Sequence, residues 1–372
     1  MQRIFHTPEG VRDIYGKECA RKHQLEEQIF QIFHSYGYQD IETPGFEYFE
    51  VFSKEVGTIP SKDLYKFFDR EGNTLVLRPD LTPSISRTCA TYLKPKDNIV
   101  SLCYKGNTFI NSSGYRGQMK EVTQMGIEKF GDDSPEADAE ILVMAIECLK
   151  AAGFTDFQVS VGNVNYFKSL LAAAGLDEEE EEQLRSLISQ KNYFGVETCL
   201  AEKNIPAELL KPLSEMPSLF GGAEVLKRAR ELTGDPDAIR SVQRLEEIYE
   251  IVKLYGAENY ISFDFGMVSK IRYYTGITLQ AYTLGTGEAL IKGGRYDNLM
   301  KHFGCPSPAV GFAINMSSVM NALWRQKIEP AEEAARPVLV EYTKETRAEA
   351  IAKVRALRAA GICAQLRPGK EA

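Results

Sequence analysis

Three short stretches of the 372-residue chain carry side chains able to hold a small polar ligand. LRPDLT (Leu77 to Thr82) supplies Asp80 and Thr82, QMGIE supplies Gln124 and Glu128, and YYTG supplies Tyr273 and Tyr274. A carboxylate accepts from an ammonium or a ring N–H, an amide donates and accepts, and so does a tyrosine hydroxyl. The same spacing is met by Gln124 and Glu128 alternating outward along one strand while Tyr274 fills a core. Glycines 285, 287, 293 and 294 could cradle a phosphate, but no P-loop lysine follows them, and strand and turn geometry accounts for them more simply. His302, in LMKHFG, has no Cys or His nearby and reads as a surface or helix-end histidine rather than a base.

The elements that must position these residues are short. KHQLEEQIFQIFHSY, from Lys22 to Tyr36, puts Leu25, Ile29, Ile32 and Phe33 on one helical stripe, with Gly37 as its stop. Strand-like runs follow, with a hairpin expected around Glu71-Gly72-Asn73 and a longer one around Ser112-Ser113-Gly114. A helix is predicted over Pro135 to Ala152, closed by Gly153, and then a strand in FQVSVGNV. Between Tyr166 and Tyr255 the pattern is helix after helix, a helical insertion whose acidic run Asp177 to Glu182 reads as a solvated helix start. Strands resume in YISFDFGMV, YYTGITLQAYTL and EALIKGGRYDNL, and a helix is predicted from Asn315 to Gln326. The expected organisation is a core over 1–325, with an insertion at about 166–255, a linker over 326–336, and a βαβ segment over 337–372. The fold class is α+β, an antiparallel sheet with flanking helices.

A net charge of -8 opposes sequence-independent nucleic-acid binding, which rests on many Lys and Arg contacts to phosphate. Apolar runs such as Ile141 to Leu149 fall well short of the roughly 20 residues of a membrane span, and MQRIFHTPEG has no signal core. Seven scattered cysteines, no C-x-x-C pair and four histidines predict neither a disulfide framework nor a zinc site, which suits a reducing cytoplasm.

LRPDLT, QMGIE, YYTG, GGRYDNL (Gly293 to Leu299) and PAVGFAINM (Pro308 to Met316) stand in the order and spacing of histidyl-tRNA synthetases, and the chain resembles that family from about Phe5 to Leu323. HTPEGVRDI is similar to the family's N-terminal segment near the dimer seam. The resemblance implies a class II aminoacyl-tRNA synthetase-like fold. It also implies a histidine pocket: Gln124 and Asp80, with Thr82 beside it, for the α-amino group, and Glu128 with Tyr274, next to Tyr273, for the imidazole. Asp80 is one methylene shorter than the family's glutamate. The charges that activate ATP are missing: the family's Phe-Arg-x-Glu is here Phe109-Ile110-Asn111-Ser112, its histidine-motif arginine is Ser269, and its motif 3 arginine is Ser318. An aliphatic or hydroxyl side chain does not replace a bidentate guanidinium. Lys270 and Arg272 are not natural substitutes, since in a strand they share the face opposite Ser269.

A synthetase frame emptied of its phosphate-binding charges, with RPD for RPE and a short tail, is similar to regulatory subunits of ATP phosphoribosyltransferase. That resemblance implies a non-catalytic protein of histidine biosynthesis, cytoplasmic and without cofactor or metal. It implies a homodimer within a hetero-octamer containing a short-form catalytic subunit, with L-histidine as effector and no tRNA or membrane partner. A diverged histidine-tRNA ligase and a free-standing histidine-binding protein are the competing expectations.

Overall fold

Leu25, Ile29 and Phe33, four residues apart, form the buried stripe of α1 (Gly16–Ser35), which begins ahead of the expected Lys22. The computed structural model describes residues 5–52, 59–95, 98–111, 119–203, 205–268, 273–329 and 337–369. After β1 (Gln39–Asp40), three short strands, β2 (Phe46–Tyr48), β3 (Lys66–Phe68) and β4 (Thr74–Leu77), make a separate antiparallel sheet in the order β2-β4-β3. The β3–β4 turn is the hairpin expected at Glu71-Gly72-Asn73: Gly72 takes φ 87°, and the Asp69 carboxylate accepts from the amides of Glu71 and Asn73. Helix α2 (Thr82–Thr88) follows LRPDL, with Pro83 in its first turn.

The long hairpin is β5 (Val100–Phe109) against β6 (Glu121–Phe130), antiparallel over its whole length; residues 112–118 of its loop lie outside the described residues. Ser134 caps α3 (Pro135–Ala151) by accepting from the Ala137 amide, and strand β7 (Phe157–Asn163) comes next. The helical stretch is α4 (Val164–Ala174), α5 (Glu178–Ser189), α6 (Tyr193–Ala201), α7 (Ala207–Glu215), α8 (Glu224–Leu232) and α9 (Pro236–Leu254), interrupted by the two-residue strand β8 (Phe220–Gly221). Asp177 and Glu180 form a reciprocal capping box at α5, which explains the acidic run. The chain then gives β9 (Ile261–Asp264), β10 (Ile277–Thr283), β11 (Ile291–Arg295), α10 (Asp297–His302), β12 (Ala309–Asn315) and α11 (Met316–Arg325). The tail is β13 (Val338–Tyr342), α12 (Arg347–Ala359) and β14 (Ala364–Pro368), with β13 and β14 parallel.

The main sheet has nine described strands in the order β1-β5-β6-β12-β11-β10-β7-β9-β8. The sheet is mixed rather than antiparallel throughout, because β1–β5 and β7–β9 pair in parallel. Each parallel pair is separated in sequence by a long excursion, which parallel strands require. One face packs Met125, Ile127 and Phe312 with Phe33, Met144 and Val242 in the larger core, which also takes in Leu184 and Leu213 of the helical stretch. The opposite face packs Tyr104, Tyr274 and Tyr296 with Leu81, Ile85 and Met300. The described residues fall into two compact units, one within 1–14 and 22–328, the other within 15–21 and 329–372.

Candidate functional site

Strand parity places Gln124, Gly126 and Glu128 on one face of β6 and Met125 and Ile127 on the other, where the latter pair enters the larger core. Glu128 does not point to solvent. It is 1% exposed and accepts from three hydroxyls: Thr82 Oγ1 at 2.6 Å and Tyr104 Oη at 3.3 Å on Oε1, and Tyr296 Oη on Oε2. In its ionised form a carboxylate offers about four acceptor positions, which would leave one on Oε2 for a ligand N–H. Burial pushes the Glu128 carboxyl up to about 8; the hydroxyls of Thr82 and Tyr296 oppose the shift, and the charge of Asp80 adds to it.

Two glycines make this packing fit. A Cβ on Gly311, the β12 residue opposite Glu128, would lie 2.0 Å from Glu128 Oε2. A Cβ on Gly126 would lie 2.5 Å from the Tyr104 hydroxyl, so Tyr104 reaches Glu128 across a bare backbone. Asp80 accepts from the amide of Leu81 at 2.8 Å, and burial raises its pKa against the amides of Leu81 and Thr82. Arg78 is structural: it donates to the carbonyls of Asn107, Thr43 and Pro44 and ties LRPDLT to β5. Tyr273 bridges the ring of Tyr274, at 5.1 Å, and that of Tyr296, at 5.7 Å. The side-chain carbonyl oxygen of Gln124 is buried with no hydrogen-bond donor among the described residues.

Thr82, Glu128 and the Tyr273–Tyr274 pair therefore come together in one aromatic cluster, Asp80 adjoins it through Thr82, and Gln124 lies further along the same strand face. The residues not singled out from sequence are Tyr104 and Tyr296. The signal available was their place inside the stretches YKGNTF and GGRYDNL, but nothing in their spacing says that both hydroxyls end on Glu128. At the positions matched to phosphate-binding arginines, Ile110 continues the β5–β6 pairing, its amide donating to the Lys120 carbonyl at 2.9 Å. The Ser318 amide donates to the Asn315 side chain that caps α11. Ser112, Ser269, Lys270 and Arg272 lie outside the described residues.

The cysteines and histidines, scattered in sequence, do meet at one point: His34, Asp40 and Cys103 bring their ligand atoms within 4.8 Å of one another. There they satisfy each other, Asp40 bonding to His34 at 3.0 Å and to the Cys103 thiol at 3.4 Å. Among the described residues no helix is long and apolar enough to cross a membrane.

The sequence matches the histidyl-tRNA synthetase family over residues 10–319. It is 40% identical over 362 residues to a protein of Acetivibrio thermocellus named ATP phosphoribosyltransferase regulatory subunit, covering 97% of this chain and 86% of that one. It is 42% identical over 358 residues to a protein of the same name from Thermoanaerobacter pseudethanolicus, covering 96% and 93%. Among solved structures, an ATP phosphoribosyltransferase regulatory subunit/histidyl-tRNA synthetase from Bacillus halodurans superposes with a TM-score of 0.88 at 32% identity, covering 98% of this chain and 93% of that one. A histidyl-tRNA synthetase from Nostoc, at 21% identity, a TM-score of 0.80, and 99% and 87% coverage, shares the fold.

Proposed function

The chain belongs to the family of ATP phosphoribosyltransferase regulatory subunits, built on the histidyl-tRNA synthetase fold, and from that premise we propose that it is the non-catalytic, histidine-sensing partner of a short-form catalytic subunit in the first step of histidine biosynthesis. In this reading it is required for the activity of that subunit and for feedback inhibition. It works in the cytoplasm as a homodimer inside a hetero-octamer and takes no tRNA. The observation that supports histidine as the ligand is the buried Glu128 carboxyl, ringed by Thr82, Tyr104 and Tyr296 and, in its ionised form, retaining an acceptor position. Glu128 and Tyr274 would receive the imidazole, while Gln124 and Asp80, with Thr82 holding the carboxyl of Glu128 in place, would face the amino end. The lack of activation chemistry is supported by Ile110, Ser112, Ser269 and Ser318 at positions where synthetases carry charged phosphate-binding groups.

Reconstitution tests this reading. Adding the protein to a short-form ATP phosphoribosyltransferase catalytic subunit should raise its activity and confer inhibition by histidine, and the two should co-elute on size exclusion. Unchanged catalysis and inhibition, with no complex formed, would falsify the assignment.

A further inference from the structure

A cavity opens among residues outside the Glu128 cluster. It has a volume of about 570 Å3 and is lined by four cations, Lys168, Arg240, Arg244 and Arg295, and by four carboxylates, Asp133, Asp138, Asp237 and Asp297, with Asn163, Asn165 and the 275–277 segment in its wall. Its charges are nearly all paired. Asp138, 0% exposed, joins Arg295 at 2.7 Å and Arg244 at 2.8 Å; Arg295 also meets Asp297 at 3.3 Å, and Arg240 pairs with Asp237.

Lys168 is the exception. Its ammonium donates to the Tyr274 carbonyl at 2.6 Å, and no ion pair of Lys168 is found among the described residues. An ammonium carries three donors, so two remain for whatever enters the cavity. Burial, and then the positive charge of Arg185, hold the Lys168 pKa below its ordinary value. Helix α4, of 11 residues, begins on the cavity wall, and the partial positive charge of its N-terminus has the same sign.

We propose that this cavity is a binding site for a small oxyanion, a carboxylate or a phosphate, anchored by Lys168 and supported at the rim by Arg240. The site is distinct from the Glu128 cluster, though the two share the Tyr274 residue: its ring lies in the cluster and its carbonyl is held by Lys168. The proposal does not depend on what the Glu128 cluster binds.

The test uses the full chain at low ionic strength, titrated by calorimetry with inorganic phosphate and separately with malonate, which tells the two anion sources apart. At least one probe should bind saturably. Lys168→Met should weaken that binding about tenfold or more, the loss of a charge-assisted hydrogen bond, and Lys168→Arg should restore it. Because Lys168→Met also removes the donor to Tyr274, two further readouts guard against a folding artefact. The exposed Arg240→Gln should weaken the same probe by a smaller factor, and the ε-13C resonance of Lys168 in the unaltered protein should move on titration. No saturable binding by either probe, or binding untouched by Lys168→Met with a Lys168 resonance that does not move, overturns the proposal.

Discussion

Glu128 sets the chemistry at the scale of single residues. Its ordinary value is 4.5, and in the folded chain it is raised to about 8. Between those values the native state holds a proton that the unfolded chain has released. The contribution of this group to stability is therefore complete below about 4.5, declines as pH rises by up to about 1.4 kcal/mol per unit, and is gone above about 8. Glu128→Gln, which keeps the shape and cannot ionise, should flatten that slope; urea unfolding of both proteins across the same window measures it, and identical slopes would contradict a buried neutral carboxyl. If Glu128 accepts from the ring N–H of histidine, as proposed, Glu128→Ala should weaken histidine binding by roughly 1 to 3 kcal/mol. Equal calorimetric affinities in the two proteins would move histidine to another site. Gly311 matters through what it lacks: Gly311→Ala sets a methyl 2.0 Å from Glu128 Oε2 and 2.3 Å from the Ile127 carbonyl. It should cost about 1–3 kcal/mol of stability or more, read from the shift in denaturation midpoint.

At the scale of elements, the Asp138 carboxylate ties three of them together: α3, which carries it; the end of β11, through Arg295; and α9, through Arg244. Asp138→Ala leaves the 5% exposed Arg295 guanidinium without its closest counter-charge, a loss of about 3–5 kcal/mol in such settings. Thermal unfolding should show it, and a change of under about 0.5 kcal/mol, ordinary for a surface site, would mean the network is not stabilising. This tie was invisible in the sequence because its partners are 157 and 106 residues apart. Local regularities were legible: the alternation in QMGIE, the Gly72 turn, the stop after α3 at Gly153 and the terminal βαβ unit all follow from periods and turn residues set within a few residues. The sheet order was not, nor were the parallel pairings of β1 with β5 and β7 with β9, since a strand's period says which face is apolar and not which strand lies beside it. For the same reason the sequence offered Glu128 as a candidate, through a family resemblance, while its hydroxyl partners Tyr104 and Tyr296 were not singled out.

For the whole molecule, a subunit without chemistry of its own alters a reaction only by favouring one state of the enzyme it holds. If histidine binding to the complex disfavours substrate, substrate must weaken histidine binding by the same factor, with couplings of this kind typically about 1–3 kcal/mol. Histidine affinity of the assembled complex, measured with and without phosphoribosyl pyrophosphate, should therefore shift by the factor by which histidine shifts the affinity for phosphoribosyl pyrophosphate. An affinity for histidine indifferent to substrate, in a complex that histidine inhibits by weakening substrate binding, is thermodynamically excluded and would show that the inhibitory histidine acts elsewhere than at the titrated site.

The main sheet ends in β1 on one side and β8 on the other, each two residues long. Edge strands that short present almost no unpaired backbone to a second chain, which is how natural sheets avoid growing into one another. A partner that met the sheet at β1 or β8 would find little main chain of those two strands to pair with, so its grip there would rest on side chains. Association of that kind is specific to sequence rather than to backbone geometry, so it can be retuned, or lost, through a few surface substitutions that leave the fold intact.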